Sequence, residues 1–112
     1  MTRRVETAPA FERDLKRLAR RYPRIRQDLE PIIAELIAGA TPGDRLKGVQ
    51  AIVHKVRLAN RDARRGKSGG YRTLYYLPSD ERAVLLTVYS KSDQADIPND
   101  EIKRIIEDEL GG

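Results

Sequence analysis

Cysteine and tryptophan are absent from the 112 residues, and histidine, phenylalanine and methionine occur once each. Without cysteine there is no disulfide framework and no thiolate metal site, and a single histidine is too few for a His-based zinc centre, so no metal or other cofactor is expected. Long apolar runs are missing too. Nothing approaches the roughly 20 consecutive apolar residues of a membrane span, so no membrane partner is expected. The charged start, Thr2-Arg3-Arg4-Val5-Glu6, has no apolar stretch behind it. The expectation is therefore a chain without a secretory leader, cytoplasmic, with residues 1–112 forming one domain around one modest core.

What is abundant is charge, 35% of residues, with 22 Lys and Arg against 17 Asp and Glu and a net charge of +5. The two signs are segregated along the chain. Between Arg45 and Arg72 nine cations face the single acid Asp62, whereas from Asp96 onward six acids face Lys103 and Arg104. A basic middle of this kind points to a polyanionic partner.

Periodicity divides the chain into alternating elements. A short extended start near Arg4–Thr7 precedes Phe11, Leu15, Leu18 and Tyr22, which recur at helical spacing. After Pro23, the residues Ile25, Leu29, Ile32, Ile33, Leu36 and Ile37 mark a second amphipathic helix that ends at Gly39 and the Thr41-Pro42-Gly43 turn; Pro31 either kinks it or starts a shorter helix. The two helices are expected to form an antiparallel hairpin. From Val49 to Leu58 the period becomes two, with Ile52, His54, Val56 and Leu58 on one face and Ala51, Val53, Lys55 and Arg57 on the other. A basic, glycine-rich loop over 60–70 leads to two apolar runs, Tyr71–Leu77 and Ala83–Tyr89, joined at Pro78-Ser79-Asp80. Their lack of alternation predicts central strands covered on both faces. Pro98-Asn99-Asp100-Glu101 opens a last helix with Ile102, Ile105, Ile106 and Leu110 on one face. The order β-αα-βββ-α is an α+β arrangement: a helical hairpin packed on an antiparallel sheet, with a C-terminal helix.

The chemistry-bearing residues follow from that order. Strand parity places Lys55 and Arg57 together, and the following hairpin brings Arg72 and Lys91 into the same sheet. Four like charges around one concavity repel unless an anion lies among them, which suits a phosphate-bearing ligand; a solvated face with lysines guarding an edge fits the same pattern, and composition alone does not choose between them. The loop cations Arg61, Arg64, Arg65 and Lys67 stand among glycines that let a backbone approach a phosphodiester chain, so this loop is read as an RNA-binding element. It lacks the Walker spacing and precedes a strand, which argues against a nucleotide cradle. His54 has a suitable pKa for a general base but the opposite strand parity; Tyr71, Tyr75 and Tyr76 read as core, Tyr89 as a residue that stacks on a base, and Asp93 as one half of a salt bridge or a helix cap.

Two stretches, HKVRLANRDARRGKSGGYRTLYYL and AVLLTVYSKSDQADI, resemble the RelE superfamily of bacterial toxins, in particular its HigB-like branch, and the similarity runs from the first helix to the last. The resemblance implies the small RelE-like fold and a toxin of a type II toxin–antitoxin system. Such a toxin is a ribosome-dependent mRNA interferase, in which the message's own 2′-hydroxyl attacks the adjacent phosphate without a metal. It also implies a cognate DNA-binding antitoxin as partner, beside mRNA and the ribosome. By position, the resemblance makes Lys55, Arg57, Arg72 and Lys91 the catalytic set, with Arg57 and Arg72 on the scissile phosphate and Lys55 and Lys91 in proton transfer or electrostatic stabilisation. Ile97 departs from the pattern, since RelE proper has a tyrosine six residues after the last cation. Two other readings stay open: a ParE-like gyrase inhibitor of the same fold, against which the four cations argue, and a non-catalytic module that binds RNA or the ribosome.

Overall fold

A computed structural model of the protein describes residues 2–94 and 96–111, with side chains as far as Glu109. Strand β1 (Arg4–Thr7) leads into helix α1 (Pro9–Arg21), whose first position is the proline. A proline there forfeits no intrahelical bond, and Glu12 in the first turn with Arg20 and Arg21 in the last suits the helix dipole. Helix α2 (Ile25–Ile37) runs unbroken through Pro31, which is exposed. Its missing N–H thus frees a carbonyl that faces water, and the helix is held by the buried stripe Ile25, Leu29, Ile32 and Leu36.

The remaining elements are β2 (Asp44–Arg45), β3 (Val53–Leu58), β4 (Tyr71–Ser79), β5 (Arg82–Ser90) and α3 (Asn99–Gly111). The five strands form one sheet in the order β1-β5-β4-β3-β2. All neighbours are antiparallel except the outer pair, where β1 runs parallel to β5. The predicted α+β architecture is therefore present, with one short strand added and a parallel edge. Strand β2 has only two residues, too few for any period to register. Strand β3 starts at Val53, because Val49–Ile52 bends away and leaves Ile52 40% exposed. The β4–β5 hairpin turns one step later than predicted, since Ser79 still pairs with Arg82. Pro78 sits in β4 where the register slips between Tyr76 and Ser79, a place where no ladder bond requires its absent N–H.

Both faces of the sheet are covered, as the unbroken apolar runs of β4 and β5 imply. On one face α1 and α2 pack Phe11, Leu15, Leu18, Ile25, Leu29 and Leu36 against Val56, Leu58, Tyr71, Tyr75, Leu85 and Val88. On the other, α3 sets Ile102 and Ile106 on Val53, Leu74, Val84 and Leu86. The predicted contact of Leu110 lies outside the described side chains. Helix α3 covers only part of its face, and the uncovered part begins where β3 passes from Val53 to Lys55.

Candidate phosphate-binding site

On the α3 side of the sheet the cross-strand register lines up cations. Arg57 of β3 pairs with Arg72 of β4, and Arg72 pairs with Tyr89 of β5, so three side chains form one row across three strands. Lys55 stands two residues before Arg57 on the same face. Lys91 follows directly on β5, its backbone N–H donating to the Gly70 carbonyl at 3.0 Å. Lys55, Arg57, Arg72 and Lys91 thus line one open pocket of about 600 Å³, together with Tyr89, Ser92, Asp93, Gln94 and Asp96.

Repulsion among these cations is offset by protein oxygens. Arg72, only 4% exposed, donates from Nη1 to the Lys67 and Tyr71 carbonyls at 3.1 and 3.2 Å and from Nη2 to Ser68 O at 2.9 Å. Lys91 Nζ donates to the same Ser68 carbonyl at 3.2 Å. Lys55 Nζ pairs with Asp96 Oδ1 at 3.3 Å, and that oxygen also accepts the Tyr89 hydroxyl at 3.1 Å. Hydrogen bonds from Lys55 and then Tyr89 hold the Asp96 carboxyl below its ordinary pKa, while burial and the Asp96 charge push the Tyr89 phenol up to about 12. At neutral pH the first is an anion and the second a neutral donor. Arg57 has no hydrogen-bonded or ion-paired side chain among the described residues, which leaves its guanidinium fully available to a ligand.

The loop between β3 and β4 braces two of these cations through its Lys67 and Ser68 carbonyls. Asn60 and Arg65 exchange two backbone hydrogen bonds of 2.9 Å, Asn60 Oδ1 accepts from Ala63 N–H at 3.1 Å, and Arg64 takes the left-handed conformation at φ 55°. Two acids fasten this loop to α2. Arg61 donates from Nε to Asp28 Oδ1 at 2.5 Å, and Arg24 donates from Nε to Asp62 Oδ1 at 2.9 Å and from its backbone N–H to Oδ2 at 2.7 Å. Arg61 thus anchors the loop to the nearly buried Asp28 carboxylate through its Nε while about half of its side chain stays exposed. Arg64, Arg65 and Lys67 are exposed.

The other chemistry-bearing residues of the sequence separate cleanly. His54 lies on the other face, stacked on Tyr75 with ring centroids 5.2 Å apart; burial first, and Arg45 second, lowers its pKa from the ordinary 6.5. Tyr71 is fully buried edge-on to Tyr22, and Tyr75 bonds the Pro42 carbonyl at 2.5 Å. Asp93 pairs with Arg21 of α1 at 3.0 Å, as a salt bridge. Tyr89 is 2% exposed, so it offers the pocket its phenol oxygen, and stacking a base on its ring would require uncovering it. Ile97 itself packs against the α3 core. The residue that the sequence reading passed over is Asp96. It counted only as one acid of the C-terminal tail, although its position five residues beyond Lys91 was a usable signal. Among the described residues no cluster of three or more His, Asp or Glu side chains is arranged to hold a metal ion, and no helix is long and apolar enough to cross a membrane.

A family model described as the RelE toxin of the RelE / RelB toxin-antitoxin system matches residues 11–108, from the first buried residue of α1 to the last turns of α3.

Proposed function

The chain belongs to the RelE toxin family, and from that membership we propose that it is a ribosome-dependent endoribonuclease of the HigB-like branch that cuts mRNA without a metal. Members of this family are toxins of toxin–antitoxin systems and generally endoribonucleases, and a cognate DNA-binding antitoxin is the natural partner of this one. The observation that carries the reading is the single pocket into which β3, β4 and the end of β5 bring Lys55, Arg57, Arg72 and Lys91. A phosphodiester seated in it would meet cations from three strands.

In the proposed reaction the 2′-oxygen forms a bond to phosphorus, the bond from phosphorus to the 5′-oxygen breaks, and a 2′,3′-cyclic phosphate and a 5′-hydroxyl result. Arg57 meets the phosphate with a free guanidinium. Arg72, braced by two loop carbonyls and that of Tyr71, presents its remaining N–H groups from a fixed position, which favours the charge developing on the phosphorane. Asp96 is the ionised carboxylate of the pocket not tied to a distant helix, and it accepts the 2′-hydroxyl proton; the ammonium of Lys55 or Lys91 gives a proton to the departing 5′-oxygen. The exposed Arg64, Arg65 and Lys67 follow the RNA backbone beyond the scissile step.

Primer extension on a reporter message in a translating extract tests the reading. Breaks confined to translated codons are expected from the wild type, with cleavage reduced by about 10²-fold or more in Arg57→Ala and Arg72→Ala. Growth arrest in cells whose mRNA stays intact would displace the nuclease reading in favour of a gyrase inhibitor.

A further inference from the structure

The carboxylate given the proton-accepting role stands at the surface. Asp96 lies on the segment between β5 and α3 with 72% of its side chain exposed, and packing does not confine an aspartate so placed to one rotamer. An acceptor that points elsewhere costs rate as surely as one that is missing. Two hydrogen bonds decide where Asp96 points, and their donors differ in stiffness. Lys55 reaches Oδ1 at 3.3 Å with an ammonium on a flexible four-carbon stem. Tyr89 reaches the same oxygen at 3.1 Å with the hydroxyl of a side chain that is 2% exposed, so its ring is held by the surrounding protein. Both donors take Oδ1. Among the described residues Oδ2 accepts no hydrogen bond, so its lone pairs are the ones left for a substrate. The strand register puts Tyr89 in one row with Arg72 and Arg57. Whatever Tyr89 holds is therefore fixed relative to the two cations proposed to carry the phosphate.

We propose that Tyr89 is the positioning residue of this site: its hydroxyl holds Asp96 by Oδ1 and so presents Oδ2 to the 2′-hydroxyl that attacks the scissile phosphate. The inference rests on the nuclease reading above and adds to it the group that aims the proton acceptor. In the step concerned, the 2′-hydroxyl proton passes to Asp96 Oδ2 as the 2′-oxygen bonds to phosphorus and the bond to the 5′-oxygen breaks. The phenol proton stays on Tyr89 throughout. Burial first, and the contact with the Asp96 anion second, keep that phenol neutral and therefore a donor at neutral pH. This tyrosine precedes Lys91 by two residues and is distinct from the one in RelE proper, whose position Ile97 fills.

Tyr89→Phe tests the role, because it removes one oxygen and keeps the buried ring. On ribosome-bound message under single-turnover conditions, its cleavage rate is expected to fall about 10- to 100-fold with half-saturation unchanged. In an Asp96→Asn background the same change is expected to cost nothing further, since no acceptor is left to aim. A message carrying sulfur in place of the scissile 5′-bridging oxygen has a leaving group that needs no proton, and the Tyr89→Phe defect is expected to persist on it in full. A defect that vanishes on the sulfur message would make Tyr89 the acid, and one that adds in full to Asp96→Asn would separate it from Asp96; either overturns the proposal. A further readout needs no cleavage. Followed by carbon NMR, the Asp96 carboxyl is expected to titrate at higher pH in Tyr89→Phe than in wild type, with the surrounding Lys55, Arg57, Arg72, Lys91 and Asp93 left in place. An unshifted titration shows that the hydroxyl does not hold Asp96 and also overturns it. Wild type that cuts no message sinks the nuclease reading and this role with it, whereas wild type and Tyr89→Phe cutting at one rate sink this role alone.

Discussion

At the scale of single residues, the pocket is organised by which oxygen each cation meets. Asp96 separates binding from chemistry. Asp96→Asn removes a negative charge from beside the phosphate, so RNA binding is expected to hold or strengthen, while single-turnover cleavage falls by about 10²-fold as the proton acceptor is lost. Because Lys55 and Tyr89 hold its carboxyl below the ordinary range, Asp96 stays ionised down to mildly acidic pH. The cleavage rate is accordingly expected to show no acid limb from this group between about pH 5 and 8. His54 makes a different prediction, about stability. Its folded pKa lies below the unfolded 6.5, so the unfolded chain binds the extra proton; the contribution is complete above 6.5 and is lost as pH falls toward the folded value. His54→Phe keeps an aromatic ring on Tyr75 without a titrating nitrogen, and Tm measured from about pH 7 down to 5 is expected to fall less steeply than in the wild type.

At the scale of elements, the loop between β3 and β4 is less a flexible basic arm than a bracket. Its carbonyls at Lys67 and Ser68 hold Arg72 and Lys91, and Gly70 is where it rejoins the sheet. A Cβ on Gly70 would stand 2.0 Å from the Leu58 carbonyl and 2.8 Å from the Asn60 nitrogen, backbone atoms that cannot yield without opening the β3–β4 pair. Gly70→Ala is therefore expected to lose about 2 kcal/mol or more in urea denaturation, and to lose cleavage at temperatures where it is still folded. Gly66→Ala has nothing within 4 Å of the new atom and serves as the control, near wild type in both assays. This bracket was only half visible beforehand. Cations among glycines mark a loop that approaches something closely, and the partner approached turned out to include the protein's own arginine.

Across the whole molecule, two features distant from the pocket hold the layers together. Arg3, 6% exposed, donates to the carbonyls of Leu36, Gly39 and Ala40 at the end of α2 and to that of Asp80 in the β4–β5 turn. It caps a helix that has no basic residue in its last turn and ties the N-terminus to two distant elements. Arg3→Ala strands those carbonyls, and a loss of about 2–4 kcal/mol in chemical denaturation is expected. The segregation of charge gives a second measurement. Affinity for single-stranded RNA is expected to fall linearly with the logarithm of salt, with a slope reduced by about 0.7 for each of Arg64, Arg65 and Lys67 replaced by alanine. Arg61→Ala instead leaves the buried Asp28 carboxylate without its charge partner, held only by the residue-61 backbone N–H, and its main effect is expected on stability.

The sequence by itself determined the helices, the three long strands and the face that carries Lys55 and Arg57. Each of these is written in a local period of 3.6 or 2 that any burial against a neighbour must respect. It also marked Arg72 and Lys91, through a family resemblance that the match over residues 11–108 supports. Only the tertiary structure decided that β1 joins β5 in parallel, that two residues suffice for β2, and that α3 stops short of the cation row. It alone paired Arg61 with Asp28, buried the ring of Tyr89 and brought Asp96 to Lys55. These are pairings between residues 7 to 78 positions apart, and a charge chooses its partner by which oxygen the folded chain sets within reach, something no local pattern records.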